Sequence, residues 1–164
     1  MVTGYTIRRA TTDDIEAIQR VARKSWRAAY ADFMDEAVIE EMLSQGYSTG
    51  FLEEAIESPK LALFLAEVDR VVGYVSCEPP TESEVGQVSI YVSPDYWREG
   101  LGTALLDRAT EYLATKGATA LQDTVLADNE VGNAFYRTHF EQVEETTVEM
   151  GGEEYDAYVY QSDI

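Results

Sequence analysis

The 164-residue sequence has one cysteine, one histidine and no long apolar run, and these shortages exclude several classes of protein. Cys77 cannot form a disulfide framework within the chain, and its position in the run VVGYVSC indicates a core thiol. No run approaches the ~20 apolar residues of a membrane span, and the first ten residues lack the apolar core of a signal peptide. We therefore expect a cytoplasmic protein with no membrane partner, and no metal site is predicted.

Basic residues are also scarce, since 12 Lys and Arg oppose 31 Asp and Glu and the formal net charge is −19. A chain this acidic would be repelled by phosphates, which excludes nucleic acid as a partner. The acidic residues are spread among normal apolar periodicity, so they do not indicate disorder. Two interpretations stay open: an ordinary acidic cytosolic protein, or a protein from a halophilic organism, whose carboxylates keep it hydrated in concentrated salt. We favour the second.

The apolar periodicity predicts one mixed α/β domain over residues 1–164. A short strand is expected around Tyr5–Arg9, and Thr11 with Asp14 forms a capping box before a helix at about Asp13–Tyr30. Two short helices follow, in ADFMDEAVIEEML and in TGFLEEAIESP, where Pro59 stops the second. We therefore expect three helices before the main run of strands.

From residue 61 onward the pattern becomes rich in β-forming residues. The runs LALFLAEV, VVGYVSC and EVGQVSIYV predict three strands, and a helix closed by Lys116 and Gly117 follows them. A strand, a short helix and two strands joined by Gly151 and Gly152 complete the chain. No linker or repeat interrupts this order.

The segment YVSPDYWREGLGTALL, residues 91–106, joins a strand end to a helix start through a turn that contains Gly100 and Gly102. Unpaired amides and the positive dipole end make such a helix start an anion site. A Walker A loop is excluded because Gly-Lys-Ser/Thr is absent, and a dinucleotide fingerprint needs a small residue where Leu105 stands. Asp123 follows about twenty residues on, but it is weak evidence without that small residue. The turn alone leaves open whether it binds phosphate or merely begins a helix.

A second segment, VLADNEVGNAFYRTHF, residues 125–140, has Asn129 at a strand end and Tyr136 seven residues later. Together the two segments resemble the GNAT superfamily of N-acetyltransferases. In that family [Gln/Arg]-x-x-Gly-x-Gly/Ala binds the pyrophosphate of acetyl-coenzyme A, and Asn-x-x-Ala-x-x-x-Tyr follows the next strand. Gly100 and Gly102 match the first motif, and Asn129 and Tyr136 match the second.

Three positions depart from the family pattern. Trp97 stands where Gln or Arg is usual, although Arg98 beside it offers a cation, and Gly132 replaces the usual Ala. Phe140 follows Tyr136 by four residues rather than five, with no glycine between them, so the helix lacks its usual left-handed end.

The resemblance implies a GNAT-like α/β fold with a mixed, mostly antiparallel sheet of six to seven strands flanked by helices. The implied order is strand, two helices, three strands, helix, strand, helix and two strands. It also implies acetyl-CoA as co-substrate. The residues implied to bind it are Ile90, Tyr91 and Val92 at a strand edge, Arg98, Glu99, Gly100, Leu101, Gly102 and Thr103 in the turn, and Asn129.

The resemblance further implies transfer of an acetyl group to a primary amine of a small molecule, or to a protein N-terminus or lysine, by direct attack on the thioester. Tyr136 is then the acid that protonates the departing sulfur, because a tyrosine with an ordinary pKa near 10 is protonated at neutral pH. Glu84, at a strand start, is the candidate base. The alternative is a non-catalytic sensor or interaction domain that binds acyl-CoA. Either could be a monomer or a homodimer.

Overall fold

The computed structural model describes residues 4–164, and a single seven-stranded sheet runs through that range. Its strands are β1 (Thr6–Arg9), β2 (Ala62–Glu67), β3 (Val71–Glu78), β4 (Val85–Val92), β5 (Ala120–Leu126), β6 (Glu141–Met150) and β7 (Glu153–Asp163). They lie in the order β1-β2-β3-β4-β5-β7-β6, and all neighbouring strands are antiparallel except β4 and β5. The predicted mixed, mostly antiparallel sheet of six to seven strands is confirmed.

Five helices within the described residues cover the two faces of the sheet. They are α1 (Ile15–Tyr30), α2 (Glu36–Gly46), α3 (Thr49–Glu57), α4 (Leu101–Thr115) and α5 (Glu130–His139). Three helices precede β2, as the periodicity predicted, whereas the order implied by the resemblance has two. Between residues 4 and 164, none of the helices has the length and apolar character needed to cross a membrane.

Each face of the sheet carries its own apolar layer. The first layer packs α1, α2 and α3 on one face, with Ile18, Val21 and Leu65 at its centre. The second layer packs α4 and α5 on the other face. Cys77 lies in this second layer, where burial raises the pKa of the thiol to about 12, so the interpretation of Cys77 as a core thiol is confirmed.

The start of α1 is held by the predicted capping box. The Thr11 amide donates a 2.8 Å hydrogen bond to the Asp14 carboxylate, and Arg8 of β1 donates two more, at 2.8 and 2.9 Å. These hydrogen bonds, that from Arg8 above all, hold the pKa of Asp14 below its ordinary value. The contact fixes α1 against the first strand and thereby orients the helix across the sheet.

Candidate functional site

The parallel strands β4 and β5 separate part-way along their length. They pair only at Val85 with Ala120, Gly86 with Leu121 and Gln87 with Gln122. Beyond these pairs β4 continues to residue 92 and β5 to residue 126. The facing edges past the last pair form what we name the opening, and their main-chain groups can bond to an extended ligand as to an added strand.

A cleft of about 410 Å³ lies at the opening, on the face covered by α4 and α5. It brings together six residues predicted to bind the cofactor: Ile90, Val92, Arg98, Gly100, Gly102 and Thr103. Its far wall comes from α5, through Val131, Ala134 and Phe135. The cleft therefore joins the unpaired edge of β4 to the start of α4.

The turn between β4 and α4 is shaped by two residues with left-handed backbone. Arg98 has φ 64° and Gly100 has φ 88°, and Arg98 is the one non-glycine residue in the described range with positive φ. The indole of Trp97 donates a 2.7 Å hydrogen bond to the carbonyl of Val92. In place of the polar residue usual in the family, Trp97 thus ties the turn to the end of its strand.

Gly102 lies where α4 closely approaches α5. A Cβ at this position would lie 3.0 Å from Cε1 of Phe135. Because α4 begins at Leu101, the first amides of the helix lie at the wall of the cleft, where they are free to bind an anion. The cleft thus lies at the helix start where the sequence predicts an anion site.

Four of the predicted cofactor residues do not line the cleft with their side chains. Leu101 is 1% exposed and belongs to the core, Tyr91 faces the first apolar layer, and Glu99 lies outside the lining. Asn129 caps α5 instead, since its side chain accepts a 2.9 Å hydrogen bond from the Gly132 amide. Main-chain contacts from these four positions stay predictions.

Tyr136 reaches the opening from α5. The residue is 3% exposed, and its hydroxyl has no partner within hydrogen-bonding geometry. It lies close enough to the carboxylate of Asp123 and to the main chain of Ile90 to interact with both. Burial, reinforced by the carboxylate, raises the pKa of Tyr136 well above its ordinary value, so the hydroxyl carries its proton at neutral pH.

Glu84 lies at the other end of β4. It precedes the first paired residue, and Ile90 follows it by six positions, which corresponds to about 20 Å along a strand. The side chain is exposed and accepts a 3.3 Å hydrogen bond from the Thr119 hydroxyl. The structure does not bring Glu84 to Tyr136, and the predicted role of Glu84 as base gains no support from the geometry.

Asp123, to which the sequence analysis gave no role, lies at the opening. It is the first residue of β5 beyond the last pair with β4. Its side chain is half-buried and accepts a 2.8 Å hydrogen bond from the Thr124 amide. Burial raises the pKa of Asp123 from 3.8 to about 7. Burial raises the pKa values of Tyr30, Tyr91 and Tyr136, and the charge of Asp123 adds to this effect.

The sequence does carry a signal for Asp123. Side chains alternate along a strand, so Leu121, Asp123 and Val125 point to the same face of β5. Both neighbours on that face are buried in the second apolar layer. At this position the alternation predicts an apolar residue. An acidic residue there indicates either that the predicted strand is wrong or that the carboxylate has a function.

The opposite face of the opening is aromatic. The Tyr30 and Tyr91 hydroxyls lie 3.4 Å apart, and the Tyr30 ring contacts Phe33 edge-on at 5.9 Å. Phe33 in turn contacts Tyr155, near the tip of the β6–β7 hairpin, at 6.3 Å. The aromatic contacts thus run from the opening to the hairpin tip.

Carboxylates surround this hairpin tip. Glu153 accepts a 3.1 Å hydrogen bond from the Tyr155 hydroxyl, and Asp35 lies close enough to act on the same hydroxyl. A Cβ at Gly151 would lie 3.4 Å from Oε2 of Glu41. We name Asp35, Glu41 and Glu153 the acidic rim. We name the rim and these aromatic side chains together the path, because carboxylates and the faces of aromatic rings both attract a cation.

The sequence and the fold were compared with those of known proteins. Residues 16–140 match the acetyltransferase (GNAT) family. A spermidine N(1)-acetyltransferase of Thermoplasma acidophilum is 28% identical over 145 residues, which are 85% of this chain and 89% of that protein. An L-2,4-diaminobutyric acid acetyltransferase of Nocardia farcinica is 38% identical over 77 residues, 44% of this chain and 39% of that protein.

A solved structure with the same fold is that of the PaiA N-acetyltransferase from Thermoplasma acidophilum in complex with coenzyme A. The TM-score is 0.85 at 22% sequence identity, and the alignment covers 99% of this chain and 100% of that one. At this level of identity the likeness shows a common fold.

Proposed function

Since the chain belongs to the acetyltransferase (GNAT) family and uses acetyl-CoA as co-substrate, we propose that it transfers the acetyl group to a primary amine of a polyamine. The observation that carries the proposal is the opening between β4 and β5, which has a cleft on one face and the aromatic and acidic path on the other. A protein N-terminus or a lysine is the competing acceptor.

The residues of the cleft fit the cofactor. The amides at the start of α4, together with Arg98, match the charge of a pyrophosphate, and the unpaired edge of β4 from Val88 to Val92 matches an amide-containing arm. When bound, acetyl-CoA supplies an activated thioester. In this proposal the chain's own residues hold and orient it. The Tyr136 hydroxyl, which has no hydrogen-bonded partner, would donate a hydrogen bond to the sulfur.

Tyr136 acts in this proposal as the acid for the departing sulfur. Its hydroxyl is protonated at neutral pH and lies near the main chain of Ile90, on the strand that the cofactor arm follows. A thiol has an ordinary pKa near 8.5, so the departing sulfur accepts a proton readily at neutral pH. The phenolate formed on Tyr136 then regains a proton.

The path on the opposite face supports a cationic acceptor. A primary ammonium group is attracted both to the faces of aromatic rings and to carboxylates. With one amine at the opening, a second amine of the same molecule lies towards the acidic rim, along Phe33 and Tyr155. The name of the relative from Thermoplasma acidophilum, a spermidine acetyltransferase, favours the same class of substrate.

An amine panel tests the proposal. Thiol release and mass spectrometry of the product are measured for spermidine, 2,4-diaminobutyrate, a monoamine of similar length, a lysine peptide and a peptide with a free N-terminus. We expect kcat/KM for spermidine to exceed that for the monoamine by about fivefold, because a second cation adds rim contacts worth roughly 1 kcal/mol. Equal or higher kcat/KM for either peptide contradicts the proposal.

Variants of the acidic rim provide the matched control. In E41Q/E153Q the charge near the hairpin tip changes by two, and KM for spermidine should rise several-fold with kcat retained. In E141Q/E144Q the same charge is removed from the start of β6, at the far end of the hairpin, and KM should stay unchanged. Equal KM changes in the two double variants would assign the effect to net charge alone.

A further inference from the structure

The opening has a carboxylate whose position is not explained by stability. None of the ion pairs formed within residues 4–164 involves Asp123. Its hydrogen bond at 2.8 Å comes from the neighbouring Thr124 amide, whereas the buried carboxylate of Asp14 is held by the Arg8 guanidinium. A carboxylate withdrawn from water without a cation costs free energy. Such a group persists where it has a chemical task.

The surroundings of Asp123 place it between the two faces of the opening. Tyr160 of β7 is its register partner, and the Tyr160 hydroxyl is occupied by a 2.7 Å hydrogen bond to Asn133. Tyr136 of α5 faces the carboxylate from the cleft side. Tyr30 of α1 and Tyr91 of β4 belong to the opposite layer, yet the charge of Asp123 interacts electrostatically with both. The carboxylate therefore acts electrostatically on groups of both faces.

We propose that Asp123 is the catalytic base of the acetyl transfer, and that its carboxylate takes a proton from the acceptor ammonium as the amine passes through the opening. The proposal rests on acetyl transfer to an amine and not on the acceptor being a polyamine. Asp123 is the first residue of β5 that does not pair with β4, and it lies near Tyr136, so base and acid are on neighbouring elements.

The acid strength of Asp123 suits this task. A general base works best when its pKa lies near the operating pH, and the pKa of Asp123 is about 7 because of its burial. An ordinary aspartate would be too weak a base to deprotonate an alkylammonium effectively. A carboxylate whose pKa is raised to this range is substantially ionised at neutral pH, and it accepts a proton more readily than an ordinary aspartate does.

The protons balance as follows. The ammonium loses one proton to Asp123, and the neutral amine nitrogen forms a bond to the thioester carbon. As the carbon–sulfur bond breaks, the sulfur takes the proton of Tyr136, and Tyr136 regains a proton from Asp123. The nitrogen gives up a second proton to solvent as the amide forms. One proton is thus moved from nitrogen to sulfur, and one is released.

The test uses D123N, which keeps the shape of the side chain and removes the base. With an ordinary alkylamine that the wild-type protein acetylates, kcat at neutral pH should fall by about 10²- to 10⁴-fold. Wild-type kcat/KM should decline below a midpoint near pH 7, the pKa of Asp123. In D123N this midpoint should disappear. Instead, kcat/KM should rise by about tenfold per pH unit, because solvent then deprotonates the amine. D128N, at an exposed position in the following turn, should retain the wild-type profile.

A second amine keeps the test independent of how well D123N folds. Trifluoroethylamine is already neutral at pH 7, so its attack needs no base for the first proton. In wild-type protein, kcat/KM should decline below about pH 7 with the alkylamine but not with trifluoroethylamine. With trifluoroethylamine, kcat of D123N should lie within about tenfold of the wild-type value. If kcat/KM of wild-type protein declines near pH 7 with both amines, the assignment is overturned. An equal deficit for both amines also overturns it when D123N has a native circular dichroism spectrum. A chain that acetylates no amine contradicts the proposed function instead.

Discussion

Tyr136 stacks on Tyr160, with ring centroids 5.7 Å apart and ring planes inclined by 20°. The packing of Tyr136 therefore depends on its ring, while its hydroxyl has no hydrogen-bonded partner. In Y136F the fold and the affinity for acetyl-CoA should be retained, as calorimetry can show. The loss of a general acid should lower kcat by about 10²-fold or more, which corresponds to ~2.7 kcal/mol of barrier.

The matched control is Y112F, which removes a hydroxyl from α4 on a ring that packs against Phe64, away from the opening. It should leave kcat unchanged. If Y136F retains full kcat with both substrates saturating, and wild-type protein shows no pre-steady-state burst, Tyr136 is a packing residue.

Gly102 provides the second prediction, on the anion site. In G102E a side chain with negative charge replaces a hydrogen that already approaches Phe135, at the wall of the cleft. Binding of acetyl-CoA should be abolished while the circular dichroism spectrum stays native. The control G50E adds the same side chain to α3, where a Cβ meets no atom within 4 Å. Calorimetry that finds equal affinity in folded G102E protein would refute the site.

Asp123 gives a prediction on stability as well as on catalysis. Between pH 3.8 and about 7 the folded state binds more protons at Asp123 than the unfolded state does, so this group lowers stability as the pH rises through that window. Because D123N is always neutral, it should be more stable than wild type at about pH 8, by a few kcal/mol at most. The gain should shrink towards about pH 4. Urea denaturation of D123N and D128N at both pH values decides the matter, and an equal gain at both would contradict the assigned pKa.

The net charge of −19 leads to a prediction on salt. Repulsion among the carboxylates destabilises the fold when screening is weak, and the Debye length shrinks from ~30 Å at 0.01 M to ~3 Å at 1 M salt. The melting temperature should rise steeply with KCl into the molar range. A profile that is flat above about 0.15 M would count against adaptation to high salt.

Local patterns predicted most of the fold, because periodicity, caps and turns depend on neighbours in the chain. The capping box at Thr11 and Asp14, the end of α4 at Gly117 and the turn at Gly151 and Gly152 all lie where the sequence placed them. Gly117, Gly151 and Gly152 adopt the positive φ that favours glycine.

The candidate site was predicted less completely, because it depends on which residues of distant strands are paired. Glu84 was correctly placed at a strand start, but only the register with β5 shows that this end of β4 is closed. The same register gives Asp123 its position at the opening. Asn133 was missed too: its buried amide bonds to the carbonyls of Leu126, Ala127 and Asn129 and so fixes α5 to the end of β5.

The short pairing of β4 with β5 also bears on how the molecule fluctuates. Three residue pairs join β1–β4 to β5–β7 across the sheet. The amides of residues 88–92 and 123–126 that point into the opening should therefore exchange with deuterium early, in openings much smaller than global unfolding. A bound ligand that occupies this edge protects those amides and stabilises the chain by mass action. We therefore expect the sheet to become more rigid and more resistant to proteolysis when acetyl-CoA is bound.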